Sequence, residues 1–321
     1  MTNRKPGPRP VVVGTCTLSP FQHPRGNAGR LADGLALVDR MAAEARARGW
    51  GLDLVVLPEH FAQGERLPHE EEAEPLDGPL VAALAEKARL YRTHVALSML
   101  LADAGRFWNA VVLLDRQGRP VGTYRKVRPV LHLDGSLERG ITPGSDVPVW
   151  DLDFGRVGAQ VCFEAFFDSG WQALDAGGAE LVVLPSATSA VAALRSQAWR
   201  HEYYVVASTF RAPTVIVDPL GREVARTSGD KEVLVERFDL DYRVLPWNSL
   251  RDFGAALAET YGARVRQDWH REEDMCLVTS LDAALPVGEL LRREKLETNR
   301  EHLARNVVAQ DAARGGPHRA T

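Results

Sequence analysis

The chain has 321 residues, of which 45% are hydrophobic and 26% charged, a composition typical of a globular protein with one large or two ordinary domains. Its formal net charge of -4 gives no general attraction to phosphate backbones, so we expect no nucleic-acid partner. No apolar stretch is long enough to cross a bilayer, and the N-terminus lacks a hydrophobic signal region, so we expect no membrane association and a cytoplasmic location.

The first half of the chain predicts alternating strands and helices that end in a hairpin, after a flexible N-terminus at residues 1–10. Short Val/Leu runs indicate buried strands, apolar residues at helical spacing indicate helices, and Asp and Gly between apolar runs indicate a hairpin turn. In chain order these are strand VVVGTC (11–16), a helix carrying Leu31, Leu35, Val38 and Met41, strand DLVVLP (53–58), a helix after Pro79, strand HVALSML (94–100) and hairpin AVVLLDRQGRPVGTY (110–124).

The second half repeats this order, which predicts the fold. Its elements are strand VGAQVC (157–162), a helix around residues 170–175, strand ELVVLP (180–185), a helix around residues 192–202, strand YYVVAST (203–209) and hairpin TVIVDPLGREVAR (214–226). Such doubling predicts two similar α/β halves whose sheets pack face to face. The expected fold class is therefore α/β, a four-layer α-β-β-α sandwich with an internal pseudo-twofold repeat.

Three side chains of complementary chemistry follow the predicted strands. Glu59 comes after the first LVVLP run, Lys126 after the first hairpin and Cys162 at the end of VGAQV. In open α/β sheets the loops at the carboxyl ends of strands form the binding crevice. A thiol needs a base or a positive field to act as a nucleophile at neutral pH, and a carboxylate and an ammonium supply both. These three residues are therefore candidates for nucleophilic catalysis.

Alternatives to this reading stay open. A catalytic cysteine usually pairs with histidine, and His60, His132 and His201 are among nine histidines, but none lies in a recognised local signature. Cys162 alone could be a buried core thiol, and Glu164, two residues later, is expected to make a structural hydrogen bond or ion pair. The three cysteines are widely separated, and neither a zinc site nor a nucleotide-binding loop is indicated.

The segments LVVLPEHF, GTYRKVRP and GAQVCFEAFF, in this order, resemble the Glu, Lys and Cys motifs of the nitrilase superfamily of carbon-nitrogen hydrolases. The resemblance implies the same sandwich fold and commonly a homodimer or a higher homo-oligomer. It implies that Glu59 is a general base, Lys126 stabilises the oxyanion and Cys162 is the nucleophile. Glu138, which precedes a Pro-Gly turn, resembles an additional active-site glutamate of the family.

The resemblance also implies the reaction. A thioester on Cys162 would be formed and hydrolysed without metal or organic cofactor, and the backbone N–H of Phe163 would be a second oxyanion donor. Nitrile-cleaving members typically have Trp directly after the cysteine, so Phe163 favours a small amide or N-carbamoyl substrate without excluding nitriles. Acyl transfer to an amine is an alternative. A catalytically silent scaffold is another, since Arg200 stands where the family usually has Glu.

Two further expectations concern the pocket and the end of the chain. The aromatic residues Phe61, Trp108, Phe163 and Phe166 are candidates to line the substrate pocket, with core packing as the alternative for each. Residues 11–245 are expected to form the carbon-nitrogen hydrolase domain. Residues 246–321 are expected to be an extension that packs on the core or on a dimer partner, with a charged helix over residues 287–308.

Overall fold

The computed structural model describes residues 7–19, 23–64, 69–138, 140–229 and 232–317, so residues 1–6 of the predicted flexible N-terminus lie outside the described residues. The strands are β1 Pro10–Cys16, β2 Leu54–Val56, β3 His94–Asp103, β4 Arg106–Leu114, β5 Pro120–Arg125, β6 Val149–Asp151, β7 Arg156–Ala159, β8 Leu181–Ser186, β9 Tyr204–Thr209, β10 Val215–Val217, β11 Glu223–Arg226, β12 Val233–Asp239, β13 Tyr242–Pro246, β14 Val265–His270 and β15 Met275–Ser280. The helices are α1 Gly26–Ala47, α2 His69–Glu72, α3 Pro79–Tyr91, α4 Asp168–Ala176, α5 Val191–His201, α6 Ala255–Tyr261, α7 Val287–Glu294 and α8 Asn299–Arg314.

The described residues divide into two compact units, residues 11–238 and residues 7–10 with 239–317. The first unit contains two sheets, in the strand orders β12-β1-β2-β3-β4-β5 and β11-β10-β9-β8-β7-β6. In one sheet β1, β2 and β3 run parallel and β4 and β5 antiparallel. In the other, β7, β8 and β9 run parallel and β10 and β11 antiparallel. The near-identical segments DLVVLP and ELVVLP thus occupy equivalent inner strands, β2 and β8, which confirms the predicted repeat.

Helices cover the outer face of each sheet. Helices α1 and α3 pack against the first sheet through buried residues such as Val38, Leu84 and Val55. Helices α4 and α5 pack against the second sheet in the same way. The two sheets meet through hydrogen bonds between β1 and β9, where Ser208 Oγ donates to the Cys16 carbonyl at 2.8 Å. This is the four-layer α-β-β-α sandwich that the sequence predicts.

The two hairpins owe their shape to the same local chemistry. Asp115 and Asp218 each accept hydrogen bonds from the backbone N–H groups two and four residues later, at 2.8–3.0 Å. Gly118 and Gly221 follow with φ of 74° and 73°, in the left-handed region that favours glycine. The first hairpin joins β4 to β5, and Lys126 directly follows β5.

The second unit contains the sheet β13-β15-β14 and helices α6, α7 and α8. The sequence predicts one charged helix over residues 287–308, but the structure has two, because α7 ends at Glu294 and α8 begins at Asn299. Thr298 accounts for the break. Its hydroxyl accepts a hydrogen bond from the Glu301 N–H at 3.3 Å, and the Glu301 carboxylate accepts one from the Thr298 N–H at 2.9 Å. This capping box starts a new helix.

Candidate active site

Glu59 lies in the turn that follows β2, and its side chain is 3% exposed. One carboxylate oxygen, Oε1, is 3.2 Å from Lys126 Nζ. The other, Oε2, accepts a hydrogen bond at 3.0 Å from the backbone N–H of Ala187, directly after β8. Strand ends from both sheets therefore fix the position of this carboxylate, which supports the prediction that the loops after the strands converge.

Lys126 follows β5 and is 1% exposed. Its backbone is held on both sides, since its N–H donates to the Asn109 carbonyl and its own carbonyl accepts from the Gly144 N–H, both at 2.8 Å. Its ammonium donates to Glu138 Oε1 at 2.9 Å as well as to Glu59. Because the aliphatic stem and the charged head are both buried, the ammonium is fixed between two carboxylates.

Asn109 is a residue of this site that the sequence reasoning did not single out. It lies in β4, is 1% exposed, and donates from Nδ2 to Glu59 Oε1 at 2.7 Å and to Glu138 Oε1 at 3.1 Å. Two carboxylates of like charge can lie this close because an ammonium and an amide both donate to them. In the sequence, Asn109 begins the otherwise apolar run NAVVLL of a predicted strand. A polar side chain in a buried strand is usually hydrogen-bonded, and this indicates a partner for Asn109 without identifying it.

Cys162 opens a 3₁₀ turn, Cys162–Phe166, just beyond β7. Its φ of 51° lies in the left-handed region that a residue with a Cβ rarely adopts, and such strained residues cluster at functional sites. The charges of Glu59 and Lys126, the Ser186 side chain and the Ala187 backbone are all close enough to Cys162 to act on the pKa of its thiol. The structure thus brings the predicted thiol, acid and amine together with Glu138.

Charge and burial together determine the ionisation of this cluster. Burial alone would raise the pKa of Glu59, but the positive charge of Lys126 leads a group of interactions that lower it to about 2. For Lys126 the effect of burial has the opposite sign and would lower the pKa, but the negative charges of Glu59 and Glu138 hold that pKa above its usual value. Burial and the Glu59 charge raise the pKa of Cys162 to about 12. The resting arrangement is therefore a neutral thiol beside a carboxylate that is paired with an ammonium.

The four aromatic candidates lie in different surroundings. Phe61 is fully buried in the core between the helices and the first sheet, where its ring packs so closely on Gly34 that a Cβ there would overlap it. Trp108 is partly buried, with the Arg125 guanidinium 4.9 Å from its ring centre. Phe163 makes edge contacts with Phe166 and Phe167 at centroid distances of 6.0 and 5.1 Å. Phe166 is 60% exposed. Only Phe163 adjoins Cys162 directly in the chain.

His60 and His201, two of the histidines considered as partners of the thiol, have different neighbours. The His60 ring makes an edge contact with Phe210 at 5.7 Å, and its charge would lower the pKa of Glu59, so it lies beside the acid. The His201 ring nitrogen is 3.1 Å from Asp175 Oδ2. Within residues 7–317 as described, no group of three His, Cys, Asp or Glu could hold a metal ion, and none of the described helices could span a membrane.

Comparison with known proteins identifies the family of this chain. The model of the carbon-nitrogen hydrolase family matches residues 13–244. The bifunctional nitrilase/nitrile hydratase NIT4A of Nicotiana tabacum is 30% identical over 178 residues, which cover 48% of this chain and 49% of that protein. The deaminated glutathione amidase of Homo sapiens is 29% identical over 228 residues, covering 60% of this chain and 68% of that protein. The match therefore spans about half the length of the tobacco protein.

A solved structure has the same fold. The crystal structure of the carbon-nitrogen hydrolase from Helicobacter pylori G27 superimposes with a TM-score of 0.64 at 17% identity, covering 73% of this chain and 90% of that chain. At this identity the likeness concerns the fold. The family model, by contrast, matches well over half of the sequence and includes the positions of Glu59, Lys126 and Cys162. The chain belongs to the carbon-nitrogen hydrolase family.

Proposed function

We propose that the protein hydrolyses a non-peptide carbon-nitrogen bond of a small linear amide or N-carbamoyl compound through a thioester on Cys162. The observation that carries this proposal is the position of Glu59, which is buried, pairs with Lys126 and lies close enough to the thiol for its charge to raise the thiol pKa. A buried carboxylate can accept the thiol proton, while the ammonium stabilises the negative oxygen that forms on the substrate.

The first half-reaction forms the acyl-enzyme. Because the thiol is a weak acid here and Glu59 a weak base, the proton moves to Glu59 as sulfur bonds to the carbonyl carbon, rather than beforehand. The carbonyl electron pair moves onto oxygen, which accepts hydrogen bonds from Lys126 and the Phe163 N–H. The first amides of a helical turn have no partner within it, which suits Phe163 to this task. The oxyanion then collapses, the carbon-nitrogen bond breaks, and Glu59 returns the proton to the departing nitrogen.

The second half-reaction releases the acid. Glu59, again a carboxylate, takes a proton from water as the water oxygen attacks the thioester carbon, and the sulfur leaves with that proton. During both half-reactions Asn109 holds the Glu59 carboxylate in place and Glu138 holds the Lys126 ammonium in place, through the hydrogen bonds that they make in the resting site. A single carboxylate thus serves as base and acid in turn.

Amide or carbamoyl substrates fit better than nitriles for two reasons. Phe163 follows the nucleophile where nitrile-cleaving relatives typically have Trp, and the human relative is named an amidase. Nitrile hydrolysis is the second candidate because the tobacco relative is named a nitrilase/nitrile hydratase. A homodimer, a cytoplasmic location and the packing role of residues 246–321 stay predictions.

A screen for ammonia release tests the proposed reaction. The panel contains linear aliphatic amides, N-carbamoyl amino acids and the matching nitriles, and we expect turnover with members of the first two groups. Intact-mass measurement within seconds of mixing should detect a thioester adduct on the protein. Added hydroxylamine should give a hydroxamate only if acyl transfer competes with water. No ammonia and no adduct with the whole panel would favour the silent scaffold instead.

Changing Glu59 to Gln is expected to slow both half-reactions, by about 10²-fold to 10⁴-fold in kcat, the range of general acid–base catalysis. Glutamine has nearly the same shape but cannot take a proton from the thiol or from water. Rapid-quench mass measurement separates the two steps, and we expect little adduct to form. If the variant instead accumulated acyl-enzyme as fast as the wild type, Glu59 would not be the base for the first step.

A further inference from the structure

Glu164 is a buried carboxylate that the proposed reaction does not use. It lies two residues after Cys162 and is 1% exposed. Its Oε2 accepts a hydrogen bond at 2.8 Å from the backbone N–H of Val161, the residue before Cys162. Its own N–H donates to the Val161 carbonyl at 3.1 Å, and its carbonyl accepts from Trp171 Nε1 at 2.9 Å. Glu164 therefore fixes both ends of the turn that carries the thiol.

The other oxygen of Glu164 holds the segment that carries Lys126. Oε1 accepts hydrogen bonds from the Val127 N–H at 2.9 Å and the Arg128 N–H at 3.0 Å, the two residues after the lysine. It also accepts from the Tyr124 hydroxyl at 2.6 Å, two residues before the lysine. A single side chain thus joins the thiol turn of one half of the sandwich to the lysine segment of the other.

We propose that Glu164 is a positioning residue for the reaction, which sets the placement of the Cys162 turn relative to Lys126. The inference rests on the proposed function. The left-handed backbone at Cys162 is unfavourable for a residue with a Cβ, so surrounding bonds must hold it, and the bond from Val161 to Glu164 lies directly next to it. Sulfur and ammonium must act on neighbouring atoms of one substrate carbonyl, so a shift between their segments would misalign attack and oxyanion stabilisation.

The chemistry of the contacts requires a carboxylate. Four donors, three backbone or hydroxyl groups on Oε1 and one backbone group on Oε2, meet two oxygens that can only accept when ionised. Burial raises the pKa of Glu164, but the Tyr124 and Val161 hydrogen bonds oppose that rise. In a glutamine the amide nitrogen would face a donor in either orientation. The arrangement that loses fewer bonds leaves the Val161 N–H facing NH₂, beside the nucleophile.

The test is Glu164→Gln with Asp218→Asn as its matched control. Asp218 is also 1% exposed and also accepts backbone N–H bonds, but in the β10–β11 turn. We expect both variants to lower the unfolding temperature. Only Glu164→Gln should lower kcat on the panel amides, by about 10²-fold, with KM changed by less than about threefold, since misplacement by about 1 Å has effects of this size. Asp218→Asn should keep kcat within about twofold of wild type after correction for folded protein.

Two more variants make each outcome decisive. Tyr124→Phe removes one of the four donors, and it should lower kcat by about twofold to tenfold even if Glu164→Gln does not fold. Cys162→Ala is measured alongside. If Cys162→Ala is inactive while Glu164→Gln and Tyr124→Phe behave like Asp218→Asn, the positioning role is wrong and the proposed function stands. If Cys162→Ala equals the wild type, the proposed function fails and the positioning role fails with it.

Discussion

Replacing Cys162 with alanine is expected to reduce turnover by about 10⁴-fold or more while the chain keeps its fold, because no other group can form the thioester. The thiol is 8% exposed and small, so its loss opens only a small space beside Glu59. Ammonia release from the panel amides measures the loss of activity, and thermal unfolding measures the fold. Alanine carries a Cβ as cysteine does, so the left-handed backbone at this position should be similarly strained in the variant and in the wild type.

Cys16→Ala is the matched control for this variant. Cys16 is a fully buried thiol at the end of β1, where burial raises its pKa to about 12, as burial and the Glu59 charge do for Cys162. Its thiol pairs with the Ser208 hydroxyl at 3.9 Å, and none of its described hydrogen bonds involves a carboxylate or an ammonium. We expect Cys16→Ala to keep its turnover and to lose stability through the cavity. Turnover by Cys162→Ala at the level of this control would remove the nucleophile assignment.

Lys126→Met is expected to have the second large effect, on stability as well as activity. Methionine fills much of the volume of the lysine stem, but Glu59 and Glu138 would lose the only ammonium that the described residues place between them. Removing one partner of a buried ion pair typically costs about 3–5 kcal/mol. Urea unfolding at neutral pH measures the change in the free energy of unfolding, and we expect no detectable turnover.

The double variant Glu59→Gln with Lys126→Met separates charge from catalysis. Because it removes the buried carboxylate together with its cation, it should be more stable than Lys126→Met, although equally inactive. Lys87→Met is a surface control, since Lys87 pairs with Asp39 where the Asp39 side chain is 44% exposed, and it should cost less than about 1 kcal/mol. Equal stability losses for Lys126→Met and Lys87→Met would contradict the buried ion-pair argument.

Much of the fold could be predicted from the sequence because its signals are local. The hairpin turns follow from Asp115, Gly118 and their counterparts, and the inner strands from two nearly identical apolar runs. The break between α7 and α8 was also local, in the Thr298 capping box, but the continuous charge pattern of the segment concealed it. The three-stranded sheet of the second unit was not foreseen, since only its β15 is a clear apolar run.

The sequence predicts only those residues of the site that directly follow predicted strands. Glu59, Lys126 and Cys162 each follow a predicted strand, so topology alone suggests that they meet. The roles of Asn109 and Glu164 could not be derived in this way. Asn109 bonds Glu59 from 50 residues away within the first sheet, and Glu164 bonds the Tyr124 hydroxyl from 40 residues away in the other half. These partners therefore depend on how the strands are ordered and how the halves pack. No pattern in neighbouring residues encodes such pairs.

The internal repeat does not extend to the side chains of the candidate site. Val13 pairs with Leu54 as Val157 pairs with Leu181, so the symmetry mate of Cys162 is Leu18 and that of Glu59 is Ser186. The fold is therefore repeated but the site is not, since the first half supplies the acid and the amine and the second half supplies the sulfur. Neither half alone carries all three groups, so a chain of half this length would have to bind the other half to bring them together.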